Sequence, residues 1–151
     1  MSSQPDRDTQ PDPREAWHRL LQVSSRVLRE IDEALDAEDR ISVMEFDVLI
    51  TLDNAPARQL RMTDLARATM LSSGGMTRVA GRLEHRGLLE RVPDPDDARA
   101  FRATLTRQGE RKLAQAGTTH DAVLARMIAL HTTVQDLRAV ERVLGKVIQS
   151  W

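Results

Sequence analysis

Cysteine is absent from the 151-residue chain. That excludes disulfides, thiolate-held metals and thiol redox sensing together. Also missing is any apolar run near the ~18 residues of a membrane-spanning helix, so no membrane partner is expected. The four histidines, His18, His85, His120 and His131, include no pair at i, i+3 or i, i+4 spacing, so neither a metal nor another cofactor is expected. No phosphate-binding glycine loop and no nucleophile–base pair can be picked out, which puts an enzyme last among the readings. The opening MSSQPDRDTQPDP is polar and proline-rich, with no apolar stretch behind a basic start. It reads as a disordered tail over residues 1–13 rather than a signal peptide, and the expected location is the cytoplasm.

The 40% hydrophobic and 30% charged residues that are present suit one globular domain, residues 14–151. Net charge is −1, but unevenly spread. Residues 1–60 hold 7 Arg against 13 Asp and Glu, whereas residues 61–112 hold 11 Arg and Lys against 7 Asp and Glu. A basic middle third points to an anionic partner there.

Apolar residues Trp17, Leu20, Leu21, Leu28, Ile31 and Leu35 recur at helical spacing, and Val23 and Val27 add a second strip. A first helix that is apolar on two sides needs two partners, one of them a second subunit. Ser42 and Glu45 have the form of a capping box, opening a second helix that ends at Asn54 to Pro56. Thr63 is read as the cap of a short third helix, Asp64 to about Thr69. Ser72 or Ser73 caps a fourth running to about Arg86, with Gly87 just beyond it. Leu88 to Val92, and the alternating Phe101, Ala103 and Leu105, read as two strands of a hairpin. Its tip, Pro93 to Asp97, is expected to be neither strand nor helix. Thr106 caps a long fifth helix, which Gly109 and Gly117 are expected to weaken. Thr133 with Asp136 opens a last helix carrying Leu137, Val140, Leu144, Ile148 and Trp151 on one stripe.

Two short helices and a hairpin make a winged helix-turn-helix, so the fold class is mainly α with a small β wing. Its second short helix is of a size to enter a DNA major groove. The serines and glycines at that helix's start then have a use. Free N–H groups there attract phosphate, Ser72 and Ser73 add hydroxyls, and Gly74 and Gly75 let the backbone come close. Thr63, Met76, Thr77 and Arg78 are assigned to DNA contact, with Arg78 reading a guanine and Met76 touching a thymine methyl. Arg82 is assigned to the phosphate backbone. In the wing, Asp97 is read as fixing the Arg99 guanidinium towards a minor groove, with Arg102 beside it.

The stretch RLEHRGLLERVPDPDDARAFRATLTRQG, residues 82–109, resembles the MarR family of bacterial transcription regulators. The resemblance is carried by Arg82-Leu83, Gly87-Leu88-Leu89 and Arg91, then Asp94, Asp97 and Arg99, then Leu105-Thr106 and Gly109. Ala98-Arg99 departs from the two arginines that many members carry after the paired aspartates. The resemblance implies a homodimer on a pseudo-palindromic operator, with half-sites about 34–36 Å apart. Residues 14–40 and 107–151 would dimerise, and 42–106 would form the DNA-binding lobe. It further implies a repressor of its own or a neighbouring operon, released by a small aromatic or phenolic ligand. Trp17, His18, Met44, Val48 and His120 are the candidate ligand residues. A regulator without an effector, and a winged helix serving protein contacts, stay open beside it.

Overall fold

The computed structural model describes residues 12–69, 71–97 and 99–150. Residues 1–11 of the expected tail lie outside them. Asp12 and Pro13, assigned above to that tail, instead begin the first helix. The Asp12 carboxylate accepts the Arg14 N–H at 2.9 Å, and Pro13 takes a first-turn position where no backbone donor is needed. Helix α1 spans Pro13–Asp39 and ends on Arg40 in the left-handed region, φ 55°. Helix α2, Val43–Asp53, opens with both halves of the capping box. Ser42 Oγ accepts the Glu45 N–H at 3.2 Å, and the Glu45 carboxylate accepts the Ser42 N–H at 2.9 Å.

A tight turn with Ala57 and Arg58 at positive φ leads into a strand absent from the sequence reading, β1, Gln59–Arg61. Helix α3, Met62–Ala68, starts earlier than expected. Arg61 is its N-cap and supplies no side-chain bond, so Thr63 sits in the first turn and is not the cap. Helix α4 is Ser73–His85, and Ser72 is the cap, its Oγ accepting the Gly75 N–H at 3.1 Å. Gly87 follows at φ 68°, a conformation that favours glycine.

Strand β2, Leu89–Pro93, pairs antiparallel with β3, Phe101–Leu105, from Leu89 opposite Leu105 to Pro93 opposite Phe101. Pro93 therefore belongs to a strand, contrary to expectation. It is tolerated because β2 is an edge of the β1–β3–β2 sheet and Pro93 closes it. Helix α5, Arg107–Met127, is capped by Thr106. Gly109 is not a weak point. A Cβ there would lie 2.0 Å from the Leu88 carbonyl oxygen, so only glycine lets α5 start against the end of α4. Helix α6, Val134–Gln149, has a capping box from Thr133 and Asp136. Trp151 lies outside the described residues.

One core unites the lobe. Leu49 and Leu52 of α2 are fully buried with Leu65 of α3, Leu83 of α4, Leu89 of β2 and Leu35 near the end of α1. In contrast, residues 12–26 of α1 are exposed and α6 has no buried residue. The sheet and α4 thus project from one end of a scaffold whose long outer helices keep bare apolar faces.

Candidate nucleic-acid interface

Helix α4 is amphipathic. Met76, Val79, Ala80 and Leu83 face the core, while Ser73, Gly74, Thr77, Arg78, Arg82 and His85 are exposed. Met76 is only 1% exposed, so it packs and cannot reach a thymine methyl from this position. Ser72 spends its acceptor on the cap, and the Gly75 N–H is the donor it uses. The Thr77 hydroxyl donates to the Ser73 carbonyl at 2.9 Å, which leaves its oxygen facing outward as an acceptor. Thr63 lies exposed at the start of α3, on a small cleft that it shares with Ser73 and Thr77.

The basic residues divide by what holds them. Glu45, buried on α2, takes the Arg82 Nε at 3.0 Å and has an Arg86 guanidinium nitrogen at 3.6 Å. Arg82 is thus tied to the scaffold, although its head stays about half exposed. Arg91 pairs with Glu84 and draws that carboxyl below its usual range. Among the described residues, Arg78 and Arg99 have no salt bridge. Arg78 therefore presents an uncommitted guanidinium beside a concavity of about 630 Å³ on the outer face of α4.

The wing is organised by Asp94. Its buried carboxylate accepts Nε and a terminal nitrogen of Arg61 at 2.8 and 3.1 Å, and Nε of Arg102 at 2.8 Å. The Asp96 N–H adds a fourth bond at 2.9 Å. The hydrogen bond from Arg61 leads in holding the Asp94 pKa down to about 2, against the opposing effect of burial. The same bond raises Arg61. This corrects the reading of Asp97: its carboxylate accepts the backbone N–H of Arg99 at 3.0 Å and shapes the turn rather than gripping the guanidinium. Arg102 is likewise committed to Asp94, with Asp96 at 3.7 Å, and braces the wing. Ala98, beside Arg99, lies outside the described residues.

The five candidate ligand residues do not meet. Val48 is fully buried in the core. The His120 ring stacks on Phe46 with centroids 4.8 Å apart and has Asp121 at 3.0 Å. The neighbouring Thr119 hydroxyl donates to Asp39 at 2.7 Å, which fixes this level of α5 at the end of α1. Trp17 is 22 residues back along that helix, about 33 Å away at 1.5 Å per residue. It lines a groove with α6 instead. His18 is exposed, as is Met44. Among the described residues no three His, Asp or Glu side chains group as metal ligands, and no helix is long and apolar enough to cross a membrane.

Glu45, Asp94 and Arg61 escaped the sequence reading as interface organisers. Glu45 was visible only as a cap, Asp94 only as a motif position and Arg61 as neither. Their partners stand up to 41 residues away, and no periodicity reports such a pairing.

A capped, polar-faced α4 after a short α3, with a three-stranded wing behind, defines a winged helix-turn-helix protein. The profile of the MarR family matches residues 41–100. The HTH-type transcriptional regulator PecS of Dickeya dadantii is 31% identical over 72% of this chain. The chain spans 64% of PecS's own length. The multiple antibiotic resistance protein MarR of Escherichia coli is 27% identical over 87% of each chain. A mutant of that MarR, solved complexed with operator DNA, superposes with TM-score 0.76 at 25% identity over 88% of this chain and 93% of that one. Sco3205, a MarR family transcriptional regulator from Streptomyces coelicolor solved in complex with DNA, shares the fold. It gives TM-score 0.82 at 21% identity over 91% of this chain and 86% of the other. The chain belongs to the MarR family. The relatives named are transcription regulators, and the chain is a regulator of that class rather than an enzyme.

Proposed function

We propose that the chain is a homodimeric, sequence-specific DNA-binding regulator that represses its own or a neighbouring operon in the cytoplasm. The observation that carries this is Arg78: an arginine without a carboxylate partner among the described residues, on the exposed face of a helix whose opposite face is locked into the core. Arg78 reads a base edge in the major groove. Thr77, Ser72, Ser73, Thr63 and Gly75 line the approach, and Arg82 meets phosphate from its anchor on Glu45. Arg99 carries the charge of the wing towards a minor groove. Residues 42–106 act as the DNA lobe. Residues 14–40 and 107–151 act as the dimerising helices, which would cover the apolar faces of α1 and α6. Release by a small aromatic or phenolic ligand completes the reading.

A second reading, the same regulator working without such an effector, is favoured by one observation. Trp17 lines the groove with α6, Val48 is fully buried in the core and His120 stacks on Phe46, so a ligand site built from the five candidate residues would require a rearranged chain.

Binding to the gene's own upstream DNA tests the proposal, by fluorescence anisotropy at two salt concentrations with random duplex as competitor. Tight, competitor-resistant binding, released by an added aromatic acid such as salicylate, is the expected result. Binding that no acid releases favours the second reading. Binding no tighter than to random DNA, there and in a genome-wide selection of sites, would leave the winged helix to protein contacts.

A further inference from the structure

We infer that Gly74 and Gly81 set the specificity of α4, because their missing side chains seat the helix deeply enough in a major groove for Arg78, between them, to reach base edges. This rests on the reading of the chain as a sequence-specific DNA binder and assigns to it Gly81, a residue outside the contacts proposed above, together with Gly74.

With 3.6 residues per turn, the buried Met76, Val79, Ala80 and Leu83 mark one side of α4. Gly74, Arg78, Gly81 and His85 follow each other at i, i+4, i+7 and i+11 along the opposite side. The two glycines lie two turns apart, about 10 Å, with Arg78 projecting between two bare stretches of backbone.

The fold makes no use of either glycine. At Gly75, Gly87 and Gly109 an internal reason is visible, whereas Gly117 of α5 and Gly145 of α6 stand in open space as well, away from this face. Gly87 has φ 68°, a Cβ at Gly109 would strike the Leu88 carbonyl, and one at Gly75 would press on Ser72 Oγ at 3.2 Å. A Cβ at Gly74 or Gly81 meets nothing within 4 Å. Glycine is among the poorest residues for a helix, so two of them in open space weaken α4 with no return inside the molecule.

Gly81 lines the concavity on the outer face of α4, with Arg78 and Arg82. Glu45 draws Arg82 and Arg86 towards α2, which leaves Arg78 as the uncommitted guanidinium over the bare strip. A helix with its side chains is about 10–12 Å across, against a major groove about 12 Å wide and 8.5 Å deep. A fully clothed helix of that width enters the groove but is held off its floor by its leading side chains, whereas one stripped of side chains along its leading edge goes deeper.

The test is Gly81→Ala and Gly74→Ala in the full chain. The probes are a random duplex and the duplex that the wild type enriches most from a randomised library about three helical turns long. Alanine suits the helix better, so Gly81→Ala raises Tm by about 2–4 °C. That rise keeps any binding loss from being ascribed to misfolding. Each variant is expected to bind the enriched duplex roughly tenfold or more weakly. Affinity for random DNA and the salt dependence should stay as in the wild type, because no phosphate contact is removed. Wild-type affinity of both variants for the enriched duplex overturns the inference, and so does an equal loss on random DNA. A wild type that enriches no sequence overturns the reading beneath it as well, and is recognised by its failure before any variant is made.

Discussion

Asp94 shows how one carboxylate can hold a wing together. It is buried, it accepts bonds from Arg61, Arg102 and the Asp96 backbone, and its pKa lies near 2 against an ordinary 3.8. A depressed carboxyl pKa stabilises the folded state fully above the unfolded value and loses that effect as pH falls through the folded one. The contribution of Asp94 is therefore complete above about pH 4 and disappears between about pH 4 and pH 2. Asp94→Asn should lower Tm at pH 7, and its gap from the wild type should close over that acid range. Thermal melts of both proteins from pH 7 to pH 2 check this, and a gap independent of pH would contradict it. Arg78 and Arg99 make the complementary case, because nothing in the described protein engages their charge. Arg78→Ala should relax base preference by ~1–3 kcal/mol, whereas Arg99→Ala should weaken specific and random DNA alike. Anisotropy with both DNAs separates the two, and equal losses for Arg78→Ala would remove it from base readout. The face of α4 was legible because burial follows a period of 3.6. The partners of Asp94 and Glu45 were not, because an ion pair between distant segments leaves no local pattern. Met76 misled for a related reason: a polar, glycine-rich start does not reveal that one of its residues turns inward.

At the scale of elements, caps carried the most information. Ser42 with Glu45, Ser72, Thr106 and Thr133 with Asp136 each bind the N–H groups their spacing implies, and each marks a helix start within a residue or two. Thr63 had the right residue type, but the preceding strand β1 sets the start of α3 and leaves it uncapped. That strand was illegible. Three residues, Gln59 to Arg61, are too few for alternation to register, and only their pairing with β3 makes them a strand. Gly109 illustrates the same limit. Propensity marks it as a weak point in a helix, while the close approach of Leu88 makes it a requirement. Gly109→Ala should accordingly destabilise the protein by about 1–3 kcal/mol, the cost typical of overpacking, in place of the usual gain in helix propensity. Urea denaturation would show it as a lower midpoint at unchanged slope. A more stable variant would mean that the α4–α5 junction yields easily.

The whole molecule poses a problem that its single chain does not solve. Trp17 of α1 is 56% exposed, and Val140 and Ile148 of α6 are 52% and 69% exposed. Between the two helices runs a groove of about 700 Å³ lined almost entirely by apolar residues. A helix of 16 residues with nothing buried is marginal in water, so α6 needs a partner surface to persist. Under the proposal that surface is the second copy, and its removal has a consequence at the DNA. Two lobes joined in a dimer bind two half-sites as one ligand, which raises affinity by roughly 10²–10⁴ over one lobe without any new contact. Leu144→Glu together with Val140→Glu places charge in the groove but leaves the core of the DNA lobe untouched, since no residue of α6 contributes to that core. Sedimentation should then report a monomer. Far-ultraviolet circular dichroism should keep the lobe's helices, and affinity for a two-half-site operator should fall by at least about a hundredfold, towards that for a single half-site. If the double variant sediments as a dimer and holds the operator as before, the dimer is made elsewhere and the groove between α1 and α6 has another occupant.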